Sequence, residues 1–362
     1  MKILIVAPYP PPLTGNSLPI KLIHEELSKK YIVDKINLSK KNHQSGIDSI
    51  SRIFNILFIL LIFPFKAINK NLIYLSISES KSGNIRDIFF YFLSMYRLNK
   101  IYIHMLGGAG MNKLISKNNL RFKINKFFVS RIAGVIVEGN AQMDTFSKLI
   151  NPNKIKVIPN FAQDFLFVET VDIKRNFENS SEIRILFLSN MLPGKGHKEL
   201  LNAYLALDSE LKIKIRIDFA GKIIEKKWEK TFLDAIADEP NLYYHGSVNG
   251  EEKRELFKKS HVFCLPTYYK YEGQPFTIIE AYASGNAVIT TSHSGINHIF
   301  SNNNGFLVTK ESTNHLREIL ISLPDKKQEL EKFALHNLEL AKHTHTQKIF
   351  LKEVINFIES NN

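Results

Sequence analysis

The sequence predicts an α/β protein built from two Rossmann-like parallel-sheet domains, and three observations carry that prediction. Short apolar runs alternate with longer amphipathic ones, the pattern of a parallel sheet covered by helices. A length of 362 residues accommodates two domains of ordinary size, each with its own core. The alternation also restarts after a charged, aperiodic stretch at residues 164–182, which reads as a linker. The expected division is residues 1–163 and residues 164–344, with residues 345–362 left as a final helix.

Composition supports a globular chain: 44% of residues are hydrophobic and 23% charged. The single cysteine, Cys264, lies in the apolar run HVFCLP, so no disulfide can form within the chain, which suits a reducing cytoplasm. It reads as a small buried hydrophobe and not as a nucleophile. The opening MKILIVAPYP is too short in its apolar part for a secretory signal and reads as a first strand. Residues 53–65, IFNILFILLIFPF, form the most apolar stretch, but a spanning helix needs about 20 residues. Two readings stay open for it, a buried helix or a helix that dips into a membrane surface. The formal net charge of +13 keeps the second alive, since basic residues near anionic lipid add about 1 kcal/mol each. Against nucleic acid stand lysines distributed along the chain and the lack of a recognisable nucleic-acid module.

Taken in order, the first half offers strands at residues 2–7, 32–38, 72–76, 101–104, 134–137 and 155–158, with helices between them. The first strand leads into PYPPPLTGNSLPIKLIHEEL, where prolines force an extended loop and Gly15 permits a close backbone approach ahead of a helix. Ligands of open α/β sheets bind beyond the carboxyl ends of strands, so this loop belongs to a binding face. The fourth strand ends at His104 and runs into MLGGAG. A neutral histidine there can hydrogen-bond a ligand, and the glycines let a loop pass close to it.

The second half begins with a strand at residues 183–189 and the loop NMLPGKGHKELLNAY, in which Lys195 stands between two glycines at a helix start. Further strands follow at residues 214–220, in the run LYYHGSV, and at residues 261–266 after a helix at 250–259. The stretch YKYEGQPFTIIEAYASGNAVITT then places Glu272 in a Gly273-Gln274-Pro275 loop and Glu280 in a helix. Pro275 suits the first helical position. Glu280 then sits roughly 7.5 Å up the axis, at about 1.5 Å per residue. Between the two carboxylates lie the N–H groups of Phe276 and Thr277, unpaired at the positive end of the helix dipole, where an anion fits. Hydroxyls on Glu272, phosphate on the helix start and further hydroxyls on Glu280 match the order of groups in a sugar nucleotide. After it come TTSHSGINHIF with Gly295, a strand at residues 305–309, helices over 311–340, and a last helix at 346–360. That last helix gathers Ile349, Phe350, Val354, Ile355 and Ile358 on one face.

Glu272 and Glu280, with seven residues between them, resemble the E-x7-E motif of the retaining nucleotide-sugar glycosyltransferases of family four, and the resemblance extends over nearly the whole chain. It implies the GT-B fold, two Rossmann-like domains facing each other across a cleft, with the final helix crossing back to the first. Lys195 and Gly196 match the family's phosphate loop, in which an arginine stands five residues before the lysine; here that position holds Asn190. Gly15-Asn16 stands where a Gly-Gly pair is usual, and Phe161 follows IPN where the family has glycine.

By the same resemblance Glu272, His104 and Lys195 are the catalytic residues. The donor contacts are Gly15, Asn190, Lys195, Gly196, Gly273, Gln274, Pro275, Phe276, Thr277 and Glu280. The implied reaction moves a hexosyl or N-acetylhexosaminyl group from a nucleotide-diphosphate donor, UDP-linked on family frequency, and needs no cofactor or metal. The acceptor is expected to be a lipid-linked bacterial surface glycan, and the enzyme to be cytoplasmic, peripheral on the inner face of the membrane, without a nucleic-acid partner. His336, His343 and His345 do not read as a metal site, because an i, i+2 pair does not share a helix face. Three rival readings remain: a glycosidase carboxylate pair, which leaves Lys195 without a role; a sugar-nucleotide epimerase or hydrolase of the same architecture; and a non-catalytic sugar-nucleotide-binding partner, suggested by Asn190.

Overall fold

The computed structural model describes residues 1–11, 14–39, 48–108, 110–115 and 119–360, with backbone alone for 48–52. Pro12 and Leu13 of the proline-rich loop and Ala109 of the glycine run lie outside the described residues. The chain divides into two compact units, Met1–Pro159 with Phe350–Asn362, and Asn160–Ile349.

In the first unit six parallel strands, β1 (Lys2–Ala7), β2 (Ile32–Asn37), β3 (Leu72–Ser76), β4 (Ile101–Met105), β5 (Gly134–Val137) and β6 (Ile155–Val157), lie in the order β2-β1-β3-β4-β5-β6. Strands β3, β4 and β5 are buried at every residue, as expected of central parallel strands covered on both faces. The final helix, Gln347–Ser360, completes this unit from Phe350 onward, with Phe350, Val354 and Ile358 buried. Phe357 meets Tyr102 of β4 edge-on at 5.8 Å. Ion pairs from Glu353 to Lys156 (2.7 Å) and from Glu359 to Lys30 (3.0 Å) fix its rim. The crossing back of the last helix is therefore as expected.

In the second unit β7 (Ile183–Leu188), β8 (Ile215–Ala220), β9 (Leu242–Tyr244), β10 (Val262–Leu265), β11 (Ala287–Thr290) and β12 (Gly305–Leu307) form a parallel sheet in the order β12-β11-β10-β7-β8-β9. The order reverses between β7 and β10, the switch point where doubly wound sheets open a crevice for ligands. Cys264 is fully buried in β10.

One expectation needs correcting. Residues 164–182 are folded: a 3-10 turn at Asp164–Leu166 and a helix at Thr170–Asn179 bury Leu166, Val168, Ile173 and Phe177 in the second core. Only Ile173 and Phe177 mark the inner face of that helix, so its charged outer face hid the period.

Candidate functional site

The switch point of the second unit brings two loops together. One follows β7 and ends at Gly196, which caps the helix His197–Leu205. The other follows β10 and ends at Pro275, which caps the helix Phe276–Ala283. The loops touch through backbone. Gly196 has φ +86°, and a Cβ there would stand 2.6 Å from the Pro266 carbonyl oxygen. Behind the second loop a Cβ on Gly295 would stand 2.6 Å from the Gly273 carbonyl oxygen. Neither position admits a side chain.

This contact sets Lys195 on Glu272. The ammonium donates to both carboxylate oxygens, at 3.0 Å and 2.8 Å, and both side chains are largely withdrawn from solvent. Thr267 Oγ1 donates to Glu272 Oε2 at 2.7 Å, and Ser294 Oγ donates to the Glu272 carbonyl at 2.6 Å. Lys195 also lies 5.0 Å above the Tyr269 ring, whose carbonyl accepts from His293 Nε2 at 2.8 Å. Burial, and then the Glu272 charge, raise the Tyr269 phenol above its ordinary range, so it stays neutral. His197, buried against Trp228 at 4.7 Å, is held down to about pKa 4, first by burial and then by Lys198. Lys195 is thus the cation turned onto Glu272.

Glu280 is buried on the helix Phe276–Ala283 and accepts from Lys253 Nζ at 2.5 Å through Oε1, while Oε2 has no hydrogen-bond partner among the described residues. Sequence reasoning missed Lys253, because GEEKRELFKK looks like any charged surface helix; it also missed Thr267, Ser294 and His293. Pro275 is the cap and not the first helical residue, so Phe276 and Thr277 are the first two and present the open N–H groups of the first turn.

The loop is braced from residues 160–161. Asn160 N donates to Gln274 Oε1 (2.8 Å), Asn160 Nδ2 to the Gln274 carbonyl (3.1 Å), and His345 Nδ1 to the Asn160 carbonyl (2.8 Å). Gln274 is thus committed to holding the loop. Phe161, in place of the glycine usual in the resembled family, is fully buried and meets Phe276 edge-on at 5.6 Å.

Asn190 is exposed at the carboxyl end of β7. The register beyond β8, with Met191 N donating to the Lys222 carbonyl at 2.9 Å and a bridge from Met191 to Ile223, puts Asn190 beside the exposed Lys222. Among the described residues no group of three or more His, Cys, Asp or Glu is arranged to hold a metal ion.

Gly15 and His104 belong to the first unit. Gly15 is exposed in a turn before the helix Ser17–Ser28, next to Thr14, whose N–H donates to Ser17 Oγ at 2.8 Å. His104 has a different setting from the one expected. It is fully buried, its Nδ1 is bonded to the Tyr74 hydroxyl, and its ring stacks on Phe350 at 6.4 Å. In this conformation it offers no surface to a ligand. Burial holds its pKa down at about 3. The glycine run after it is occupied by Glu79, whose Oε2 accepts from Gly110 N at 2.9 Å.

Residues 168–336 match the family described as Glycosyl transferases group 1. An uncharacterized glycosyltransferase of Methanocaldococcus jannaschii is 23% identical over 332 residues, covering 86% of this chain and 78% of that protein. Among solved structures, HepE of Anabaena in complex with UDP superposes with a TM-score of 0.74 at 15% identity, covering 99% of this chain and 100% of that one. Sucrose-phosphate synthase of Thermosynechococcus elongatus gives a TM-score of 0.73 at 13% identity, covering 99% of this chain and 98% of that one. The two-domain α/β fold is of GT-B type, and the match over residues 168–336 supports glycosyltransferase activity.

Two outcomes follow from this geometry. Replacing Lys195 by Met leaves Glu272 enclosed without its cation, and urea unfolding should register a loss of about 3 kcal/mol, most of it restored in the Lys195→Met/Glu272→Gln double variant. His104 is neutral when folded, with a pKa near 3 against the ordinary 6.5, so its contribution is full above pH 6.5 and is lost as pH falls towards 3. Relative to His104→Gln, the wild type should lose about 1.4 kcal/mol of unfolding free energy per pH unit between roughly pH 6 and pH 4.

Proposed function

We propose that the protein is a retaining, family-four type glycosyltransferase that moves a hexosyl or N-acetylhexosaminyl group from a UDP-linked donor to a hydroxyl of a growing, lipid-linked bacterial surface glycan. The observation that carries the reading is the pairing of Lys195 with Glu272 beside an open helix start, with Glu280 Oε2, further along the same helix, left without a hydrogen-bond partner among the described residues. The HepE structures, which hold UDP and UDP-glucose, favour uridine as the base. The net charge of +13 and the apolar segment at residues 53–65 favour a lipid-borne acceptor at the inner membrane face.

In this reading the Lys195–Glu272 pair opens when donor arrives. The ammonium and the N–H groups of Phe276 and Thr277 turn to the diphosphate, and Glu272 accepts from hydroxyls of the transferred sugar. Glu280 Oε2 takes a ribose hydroxyl, and Lys253, bonded to Oε1, keeps that carboxylate aimed. As the anomeric bond breaks, the electron pair leaves with UDP, and preorganised positive charge meets it. Glu272 faces the positive charge that develops on the sugar. Retention brings the acceptor hydroxyl in on the side of the departing phosphate, where a diphosphate oxygen can receive its proton. Asn190 supplies a hydrogen bond and no charge. We assign the second cation to Lys222, one strand away, and the scheme needs no resident metal.

A second reading, a non-catalytic sugar-nucleotide-binding partner of another glycosyltransferase, is favoured by one observation, the neutral Asn190. Thermal melts with a panel of nucleoside diphosphates and their sugars test the site. Ligand at about 100 times its dissociation constant adds roughly 2.7 kcal/mol, or several degrees. UDP should give this shift in the wild type and not in Glu280→Ala, and Lys222→Ala should weaken UDP about tenfold, as loss of a charge-assisted hydrogen bond does. UDP release with a glycan acceptor separates the readings: a partner protein would show the shift and no turnover. A shift with no nucleotide at all would sink both.

A further inference from the structure

The helix Asp48–Ala67 is apolar on both sides. Ile59, Phe63 and Ala67, at i, i+4 and i+8, are buried in the core of the first unit. On the opposite side Phe54, Leu57, Phe58, Leu61 and Phe65 follow the same helical spacing and face solvent, with Phe54 67%, Leu61 69% and Phe65 83% exposed. A water-facing helix normally carries polar residues there.

The apolar surface continues onto the next elements. Phe63 meets Phe90 of the helix Lys81–Leu93 at 4.8 Å, and Arg97, in the 3-10 stretch Met95–Lys100, donates to the Ala67 carbonyl at 2.8 Å. These neighbours expose Phe89, Phe92 and Tyr96. Exposed apolar patches of this extent mark interaction sites.

Charge identifies the partner. Basic residues run along the whole chain, but the acidic ones are scarce here. Residues 48–131 hold thirteen Lys and Arg against three Asp and Glu, so they carry +10 of the chain's +13. Two of the three acids are turned inward, Asp87 onto Arg86 at 2.6 Å and Glu79 onto Gly110 N. Lys70 and Arg86 are spent on Asp34 and Asp87, but Lys66 and Lys81 on these helices are exposed, as are Lys123, Lys126 and Arg131 after them. A second copy would meet this face with like charge, and nucleic acid would leave the phenylalanines in water. A surface that offers both apolar depth and negative headgroups satisfies both features. Among the described residues no helix is long and apolar enough to cross a membrane, so contact would be in the plane.

We propose that the outer face of Asp48–Ala67, continued by Lys81–Leu93 and Met95–Lys100, docks the first unit onto an anionic phospholipid bilayer, with the helix lying along the interface. The assignment goes beyond the transfer reaction and is independent of the donor. Sedimentation of the purified full chain with phosphatidylglycerol/phosphatidylcholine vesicles at low salt tests it. Binding is expected, weakened at least about tenfold in 0.5 M salt or with phosphatidylcholine alone, and about tenfold in Phe58→Ser/Phe65→Ser. Far-UV circular dichroism and the melting point of the variant should stay as in the wild type, since both side chains stand in water. Failure of the wild type to sediment at low salt would overturn the proposal. So would a dimer in solution that the same pair of substitutions splits, or equal binding by the variant.

Discussion

A carboxylate and an ammonium held against each other with little access to water constrain everything around them in the second unit. Removing two charges from water is costly, and the attraction between them offsets that cost only when the geometry is close and the remaining lone pairs are satisfied. Lys195 and Glu272 meet this condition through their surroundings. Gly196 lets one loop lie on the carbonyl of Pro266, Gly295 lets the chain pass behind the other, and Thr267 fills a further position on the carboxylate. The reversal of strand order between β7 and β10 makes the two loops neighbours at all.

Glu280 is held by a different balance. Lys253 satisfies one oxygen of a buried carboxylate and leaves the other without a partner among the described residues. Unsatisfied buried acceptors are costly and rare in proteins, so each one calls for an explanation. Phe161 and Asn160 stiffen the start of the same helix from behind, one by ring contact with Phe276 and the other by two hydrogen bonds to Gln274. A bulky residue at position 161 therefore has a mechanical role in this chain, as a wedge that fixes where the helix begins.

Much of this was legible in the sequence, for reasons that are physical. Central parallel strands are buried on both faces, so β3 and β5 stand as apolar runs with sharp ends and the reading of residues 72–76 and 134–137 meets the structure without adjustment. Glu272 and Lys195 were visible because glycine and proline punctuate the loops that carry them, and Glu280 because it follows Pro275 on the helix that one of those loops opens. What was not legible depends on contacts distant in sequence. Lys253 is a partner only because its helix passes beside Glu280, and Gln274 braces the loop only because Asn160, 114 residues earlier, returns to it. The helix Thr170–Asn179 was hidden by its own charged face. At His104 a polar residue at a strand end invites a functional reading, and the sequence does not show that the last helix covers it with Phe350.

That last helix also bears on how the protein is made. The first unit is completed by residues at the far end of the chain, whose Phe357 closes over Tyr102 and whose Glu359 ties to Lys30. During synthesis the ribosome must finish the whole second unit before this helix emerges, a wait on the order of tens of seconds at about 5–20 residues per second. Throughout it the nascent first unit has its sheet but not its cover, with the ring of Tyr102 and the stacking side of His104 open to whatever else is near. Completion of the first unit thus waits for residues 350–360, and a message or chain cut short just before them would release a product whose second unit is whole and whose first unit is left unsealed.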